Sequence, residues 1–344
     1  MKKISLVLFI ITIFLLSFAN KIIAVSNENY PIKFGVILYR GDDHYLNLVK
    51  SYLLKIEDEN KGLVEFSFYD SKEDKQLQNS QIDELINKNV DVILLNLVDV
   101  HDSEAIINKI KKSNIPVILF NREPASLNWI KSYDKSLYVG TEACESGNIQ
   151  AEIIIEEIII EEIKRNNLKD KNKNESLEII LLQGEPDNIE AQLRSECVIR
   201  KLNNRNIRTN IIAEEYCNWE KECATQKIEE LFLKFGDSIE LIISNNDEMA
   251  IGAVSALQKY GYNTGDPNKY IAIVGVDGTE EARALIEKGF MNGTIIQDSE
   301  EMANALYRIG KNLAKGIEPL EDTEYKFDVT GIGVRIPYNG YIMR

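Results

Sequence analysis

The stretch Ile32–Asp43, IKFGVILYRGDD, begins as an aliphatic run and ends abruptly in glycine and paired carboxylates. Continuous apolar runs of about four to six residues suit strands covered on both faces, which is the situation of parallel sheets. The same grammar recurs in DVILLNLVD (91–99), IPVILFNRE (115–123), EIILLQGEP (178–186), IELIISNND (239–247), IAIVGVDG (271–278) and NGTIIQD (292–298). Between these runs, HYLNLVKSYLLKIEDEN (44–60), NSQIDELINKN (79–89), SEAIINKIKKSN (103–114) and EEARALIEKGF (280–290) carry apolar residues at helical spacing with polar punctuation. Ile153–Ile163, IIIEEIIIEEI, has strand-like composition, but its glutamate pairs exclude a membrane span and a helix with one wide buried face is expected.

Strands alternating with helices predict an α/β protein. A pause at Leu137–Gly147 divides the series into two halves, so two doubly wound parallel-sheet lobes are expected. In open parallel sheets, ligands bind beyond the carboxyl ends of the strands. Here those ends carry Asp43, Asp99 and Asn121 in the first half, and Glu185, Asn246 and Asp277 in the second. Each is individually as good a helix cap as a ligand contact. Together they point to a polar cleft between the lobes.

The chain has 344 residues, enough for about two domains, and a formal charge of −15. That surface disfavours DNA and RNA. The N-terminal MKKISLVLFIITIFLLSFANKIIAVS places lysines before an apolar run and small residues at Ala19 and Ala24, the order of an export signal. A retained anchor is the alternative, although about sixteen apolar residues are short for a span. No cysteine follows that run to take a lipid, so a periplasmic location is expected. Cys144, Cys197, Cys217 and Cys223 are too few for a disulfide framework in a chain this long, and Cys217 could reach Cys223 only if the backbone between them bends. No nucleophile elbow, phosphate loop or dinucleotide fingerprint is present, and two histidines alone do not make a zinc site.

FGVILYRGDDHY, LNLVD, FNREP, SYDKSLYVGTEACESG, LLQGEP, ISNNDEMAIGAVSAL and VGVDG resemble the galactose/glucose branch of the type I periplasmic solute-binding proteins, from about Pro31 to VRIPYNG near the C-terminus. The resemblance implies two lobes joined by a three-strand hinge. It divides the chain into a signal peptide (1–24), an N-terminal lobe (30–140 with 298–331) and a C-terminal lobe (141–297 with 332–344). It also places sugar contacts on Asp43, Tyr45, Asn121, Arg194, Trp219, Asn246 and Asp277. Three further contact positions depart from the family pattern: Asn188 replaces a histidine, Glu190 an aspartate and Gln297 an asparagine. The chemistry agrees, because pyranoses have apolar faces that aromatic rings cover and a hydroxyl rim that carboxylates, carboxamides and guanidinium satisfy.

The resemblance further implies a structural Ca²⁺ loop in DKNKNESLE (170–178), with Asp170, Asn172, Asn174, Ser176, Glu178 and the distal Glu240 as ligands. On composition alone this stretch is a solvated connector. Glu175 stands where such loops take glycine, and a β-carbon at positive φ costs about 1 kcal/mol. The expected function is that of a monomeric hexose receptor serving an ATP-driven permease, with a chemoreceptor as a further partner. Alternatives are a receptor for a pentose or modified hexose, a regulatory sugar-sensing domain, and a hexose-processing enzyme using Asp43 with Glu190 or Asp277.

Overall fold

The computed structural model describes residues 30–156 and 176–342. The expected signal segment and the calcium-loop residues Asp170, Asn172 and Asn174 therefore lie outside the described residues. The run 153–163 is described only as far as residue 156.

In the first lobe, β1 (Ile32–Leu38), α1 (His44–Glu59), β2 (Val64–Asp70), α2 (Lys75–Asn87), β3 (Val92–Leu95), α3 (Ser103–Ser113), β4 (Val117–Phe120), α4 (Asn128–Lys131) and β5 (Ser136–Gly140) follow one another. The second lobe begins with α5 (Ala143–Ile153), then β6 (Leu177–Gln183), α6 (Ile189–Asn204), β7 (Thr209–Tyr216), α7 (Lys221–Phe235), β8 (Leu241–Ser244), α8 (Asp247–Lys259), β9 (Ala272–Val274), α9 (Glu280–Glu287) and β10 (Gly293–Gln297). The chain then returns as α10 (Ser299–Ala314), β11 (Gly333–Arg335) and β12 (Tyr338–Ile342).

Two sheets result, ordered β11-β5-β4-β3-β1-β2 and β12-β10-β9-β8-β6-β7. Pairing is parallel except where β12 runs antiparallel to β10. This is the expected α/β architecture of two parallel-sheet lobes. Every residue of β3, β4 and β9 is buried, which explains their unbroken apolar composition. Each sheet is packed on both faces by a separate apolar cluster, such as Phe34, Leu53 and Leu306 against Ile82, Leu95 and Tyr138 in the first lobe.

The chain crosses between the lobes after β5, after β10 and between β11 and β12. The last crossing differs from the expected boundary at 331–332. Gly333–Arg335 pairs with Tyr138–Gly140 in the first sheet, so the switch falls at Ile336 and Pro337. Proline cannot donate to a sheet ladder, which suits it to the gap between the sheets.

Two disulfides form, without amounting to a framework for a chain this long, and the backbone bend that Cys217–Cys223 requires is present. Cys144–Cys197 ties α5 to α6, and Cys217–Cys223 closes a short loop at the start of α7, with Cα atoms 5.3 Å apart in each pair. The bend required of the second pair is supplied by Asn218 and Trp219, both at positive φ.

Candidate functional site

Helix starts and strand ends build the site. Asp43 caps α1, its Oδ1 accepting from the Leu46 amide (2.8 Å) while Oδ2 accepts from the Tyr39 hydroxyl (3.0 Å). Asn188 caps α6, accepting from the Glu190 and Ala191 amides at 2.9 and 3.1 Å. Asn246 caps α8 through the Met249 amide (3.0 Å) and donates to the Trp219 carbonyl (3.1 Å). Three helix N-termini, each with surplus N–H groups, therefore converge from two lobes.

Asn121 leaves β4 at positive φ, and its Oδ1 accepts from Asn96 at 3.1 Å. Asp277 follows β9 with φ 126°, a conformation unusual for any residue but glycine. Its amide donates to the Ile295 carbonyl and its carbonyl accepts from the Gln297 amide, so sheet pairing holds the strained residue in place.

Asp43, Tyr45, Asn121, Asn188, Glu190, Arg194, Trp219, Asn246, Asp277 and Gln297 all line one cavity of about 430 Å³ between the lobes. None of these ten falls elsewhere. Asp99, by contrast, caps a short 3₁₀ turn through the His101 amide and pairs with Lys75, and is not part of this cavity.

Arg194 is the most heavily committed side chain. Its Nη1 donates to the Asn245 carbonyl (2.6 Å); its Nη2 donates to Glu190 (2.7 Å), Gln297 (2.8 Å) and the Tyr338 hydroxyl (2.9 Å). Glu190 Oε1 also accepts from Thr141 (3.1 Å) and Tyr338 (3.2 Å). The extra methylene of Glu190 thus carries its carboxylate into the scaffold beside the hinge. Burial alone would lower the Arg194 pKa, but Tyr338, Glu190 and Asp277 reverse that and hold it fully charged. Burial pushes the carboxyls of Asp43 and Asp277 above the usual range, against the bonds that Asp43 receives and the Arg194 charge near Asp277.

Some cavity-lining groups are left wanting. Tyr45 Oη, Arg194 Nε and Gln297 Nε2 are buried and make no hydrogen bond among the described residues. These residues line the cavity, so their polar atoms are placed for a ligand with several hydroxyls to engage.

Other lining residues were not singled out from the sequence. Tyr39, Arg40 and Arg122 reach the cavity from the first lobe, and Glu220 from the second. Arg122 donates to both oxygens of Glu185 (2.9 and 2.7 Å) and stacks 4.3 Å from the Tyr39 ring centre. Arg40 approaches Glu220 at 3.4 Å. These pairs cross the cleft, so the structure is a closed form. The tyrosine and both arginines stand inside YRGDDHY and FNREP, but a lone arginine there reads equally well as a solvated charge.

Of the expected calcium ligands, Ser176, Glu178 and Glu240 are described. Glu178 and Glu240 are 4% and 1% exposed; the Glu178 amide donates to Glu240 (2.9 Å) and Asn210 donates to Glu178 (2.6 Å). Both are buried carboxylates, the kind of hard oxygen donor that Ca²⁺ takes, so the chemistry of these two residues fits the ion.

The periplasmic binding protein domain family matches residues 34–318. The chain belongs to that family. It is 36% identical over 309 residues to the D-galactose/methyl-galactoside binding periplasmic protein of Haemophilus influenzae, covering 90% of this chain and 88% of the relative. A putative rhizopine-binding protein of Rhizobium meliloti is 26% identical, covering 86% of this chain and 84% of its own. Among solved structures, an ABC transporter solute binding protein from Bacillus halodurans with bound myo-inositol aligns with TM-score 0.72 and 23% identity, covering 92% of this chain and 96% of that one. One from Actinobacillus succinogenes with bound D-allose gives TM-score 0.73 and 18% identity, covering 91% and 97%. These two share the fold. The protein is a solute-binding protein and not an enzyme, so an acid–base role for Asp43 with Glu190 or Asp277 is set aside. Among the described residues no helix is long and apolar enough to cross a membrane.

Beneath the cavity, fully buried Asp247 accepts from Thr294 (2.6 Å) and the Thr279 amide (2.7 Å), yet burial lifts its pKa to about 7. A carboxyl held above its unfolded value of about 3.9 favours folding while protonated. That contribution is full below the unfolded value and is lost as pH rises towards 7. The melting temperature of the ligand-free protein should therefore fall between about pH 4 and 7, and Asp247→Asn should flatten the decline. A wild-type profile that rises over this range would contradict the assignment.

Proposed function

We propose that the protein is an extracytoplasmic receptor for a monosaccharide of the galactose/glucose type, which it delivers to an ATP-binding-cassette importer. The observation that carries this reading is an interlobe cavity joining two aromatic residues, Tyr45 and Trp219, to a rim of carboxylates, carboxamides and a charged guanidinium. Aromatic rings cover the apolar faces of a pyranose, while the rim accepts and donates to its hydroxyls. Four or five hydrogen bonds to charged groups at about 1.5–3 kcal/mol each, less the cost of immobilisation, reach about −8 kcal/mol, a micromolar dissociation constant. The relative named for D-galactose and methyl-galactoside supports the hexose class.

A ligand touching both lobes stabilises the closed arrangement over an open one by its differential contacts. The closed surface is then the signal read by the permease, and a chemoreceptor is a second candidate reader. Location in the periplasm follows from the family and the export-type N-terminus. A second reading, a pentose or a modified hexose, is favoured by Glu190 and Gln297. Both reach a methylene further than the residues of the galactose/glucose pattern, and Glu190 Oε1 is already committed to three protein donors.

A structural Ca²⁺ would be held by Asp170, Asn172, Asn174, Ser176 through its carbonyl, Glu178 and Glu240. When bound, the ion would neutralise the buried carboxylates of Glu178 and Glu240, whose hydrogen bonds hold β6 to β7 and to the start of β8. It has no part in sugar contact, since none of the described members lines the cavity.

A monosaccharide panel read by thermal shift and calorimetry tests the receptor reading. One or a few hexoses should bind at unit stoichiometry with micromolar affinity, and Asp43→Ala should abolish binding by deleting a hydroxyl acceptor. Turnover of the sugar, or unchanged calorimetry in the variant, would count against it. Chelation with EDTA should lower the melting temperature and leave the order of sugar preference unchanged; a melting temperature indifferent to EDTA and added Ca²⁺ would remove the ion from the account.

A further inference from the structure

The loop that delivers Trp219 to the cavity is built against its own preferences. Cys217 follows β7 and is buried, its amide bound to the Gln183 carbonyl at 2.8 Å. Asn218 and Trp219 then adopt φ of 49° and 69° in succession, although neither is glycine. Left-handed residues of this kind persist only where the surroundings hold them. The loop is held by hydrogen bonds from the Glu220 amide to the Cys217 carbonyl (2.8 Å) and from Asn246 to the Trp219 carbonyl (3.1 Å). A further restraint is covalent, because Cys217 is bonded to Cys223 in the first turn of α7, six positions on.

The ring itself is closely fitted. A β-carbon on Gly184 would lie 2.2 Å from Trp219 Cζ2, so the indole occupies space that only glycine leaves free. On another side the Arg194 guanidinium carbon sits 5.8 Å from the ring centre. A displacement of the loop would take the ring out of this slot and away from the cavity.

We infer that the Cys217–Cys223 disulfide is a positioning element of the binding site: it pre-sets the strained Asn218–Trp219 turn so that the indole stands in the cavity before ligand arrives. Pre-organisation of this sort removes an ordering cost from each binding event. Cys144–Cys197 provides the internal comparison, since it joins α5 to α6 and lies outside the loop that carries Trp219. The affinity half of the inference rests on the receptor reading above; the placement of the ring does not.

The test exploits the presence of only two tryptophans, Trp129 and Trp219. In a Trp129→Phe background, Trp219 alone reports. Near-ultraviolet circular dichroism and acrylamide quenching of the ligand-free protein are compared for three forms: both disulfides intact, Cys217→Ser/Cys223→Ser, and Cys144→Ser/Cys197→Ser. Loss of Cys217–Cys223 should weaken the indole band by about half or more and raise quenching at least about twofold. It should also weaken binding of the preferred monosaccharide by about tenfold, with no added loss when Trp219→Ala is combined with it. Loss of Cys144–Cys197 should lower the melting temperature while leaving the indole signals and affinity in place. Should the serine pair not fold, Cys217→Ala/Cys223→Val keeps the volume without the bond. An indole signal unchanged by removing Cys217–Cys223 overturns the inference. If no sugar binds any form, the receptor reading fails while the indole signals still decide this one.

Discussion

The rest of the molecule depends on one buried ion pair, Arg194 with Glu190. Arg194 is 3% exposed and Glu190 8%, and a pair so deeply withdrawn from water needs further hydrogen bonds to support it. Apart from Arg194 Nε, which has none among the described residues, those bonds come from all three interlobe crossings. Thr141 lies just after β5, Gln297 ends β10 before the chain returns, and Tyr338 begins β12. The first crossing is braced from the other lobe by Arg335, which donates to the Thr141 carbonyl and to both oxygens of Glu123. Hinge and binding floor are therefore one hydrogen-bonded unit, so a ligand that touches Arg194 or Gln297 acts on the joint between the lobes. Loss of one partner would leave a charge stranded, at a cost of about 3–5 kcal/mol.

A second economy lies in the helix caps. Asp43, Asn188 and Asn246 each spend an oxygen on an N-terminal amide while also lining the cavity. Capping and ligand contact are alternatives when a sequence is read residue by residue. Here one side chain serves both, because parallel strands deliver their helix starts to the same edge of the sheet. Asp99, after an equivalent strand, caps a turn and pairs with Lys75 but does not line the cavity, which shows that the position alone does not confer the second role.

How much was legible follows from burial. The seven central runs were readable because strands such as β3, β4 and β9 are apolar along their whole length. The edge strands β2 and β7 escaped: VEFSFYD and TNIIAEEY alternate or mix exposed and buried residues, and the latter holds two glutamates. β11 escaped because three residues carry no pattern, and with it went the position of the last crossing. All ten expected cavity residues share one space, but their recognition came from the resemblance; composition alone gave only a polar cleft. Cys144 and Cys197 lie 53 positions apart, and nothing local announces that α5 and α6 bring them together. Arg122 and Glu185 were quoted inside their motifs, yet a pair formed across a cleft has no sequence period.

The central claim is that both lobes grip the same ligand through one cavity. Hydrogen–deuterium exchange of the protein with and without its preferred monosaccharide tests this most directly. The account predicts concerted protection at the starts of α1 in the first lobe and of α6 and α8 in the second, together with the crossings at Thr141 and Gln297. Protection confined to one lobe, with the other exchanging as in the free protein, would contradict it.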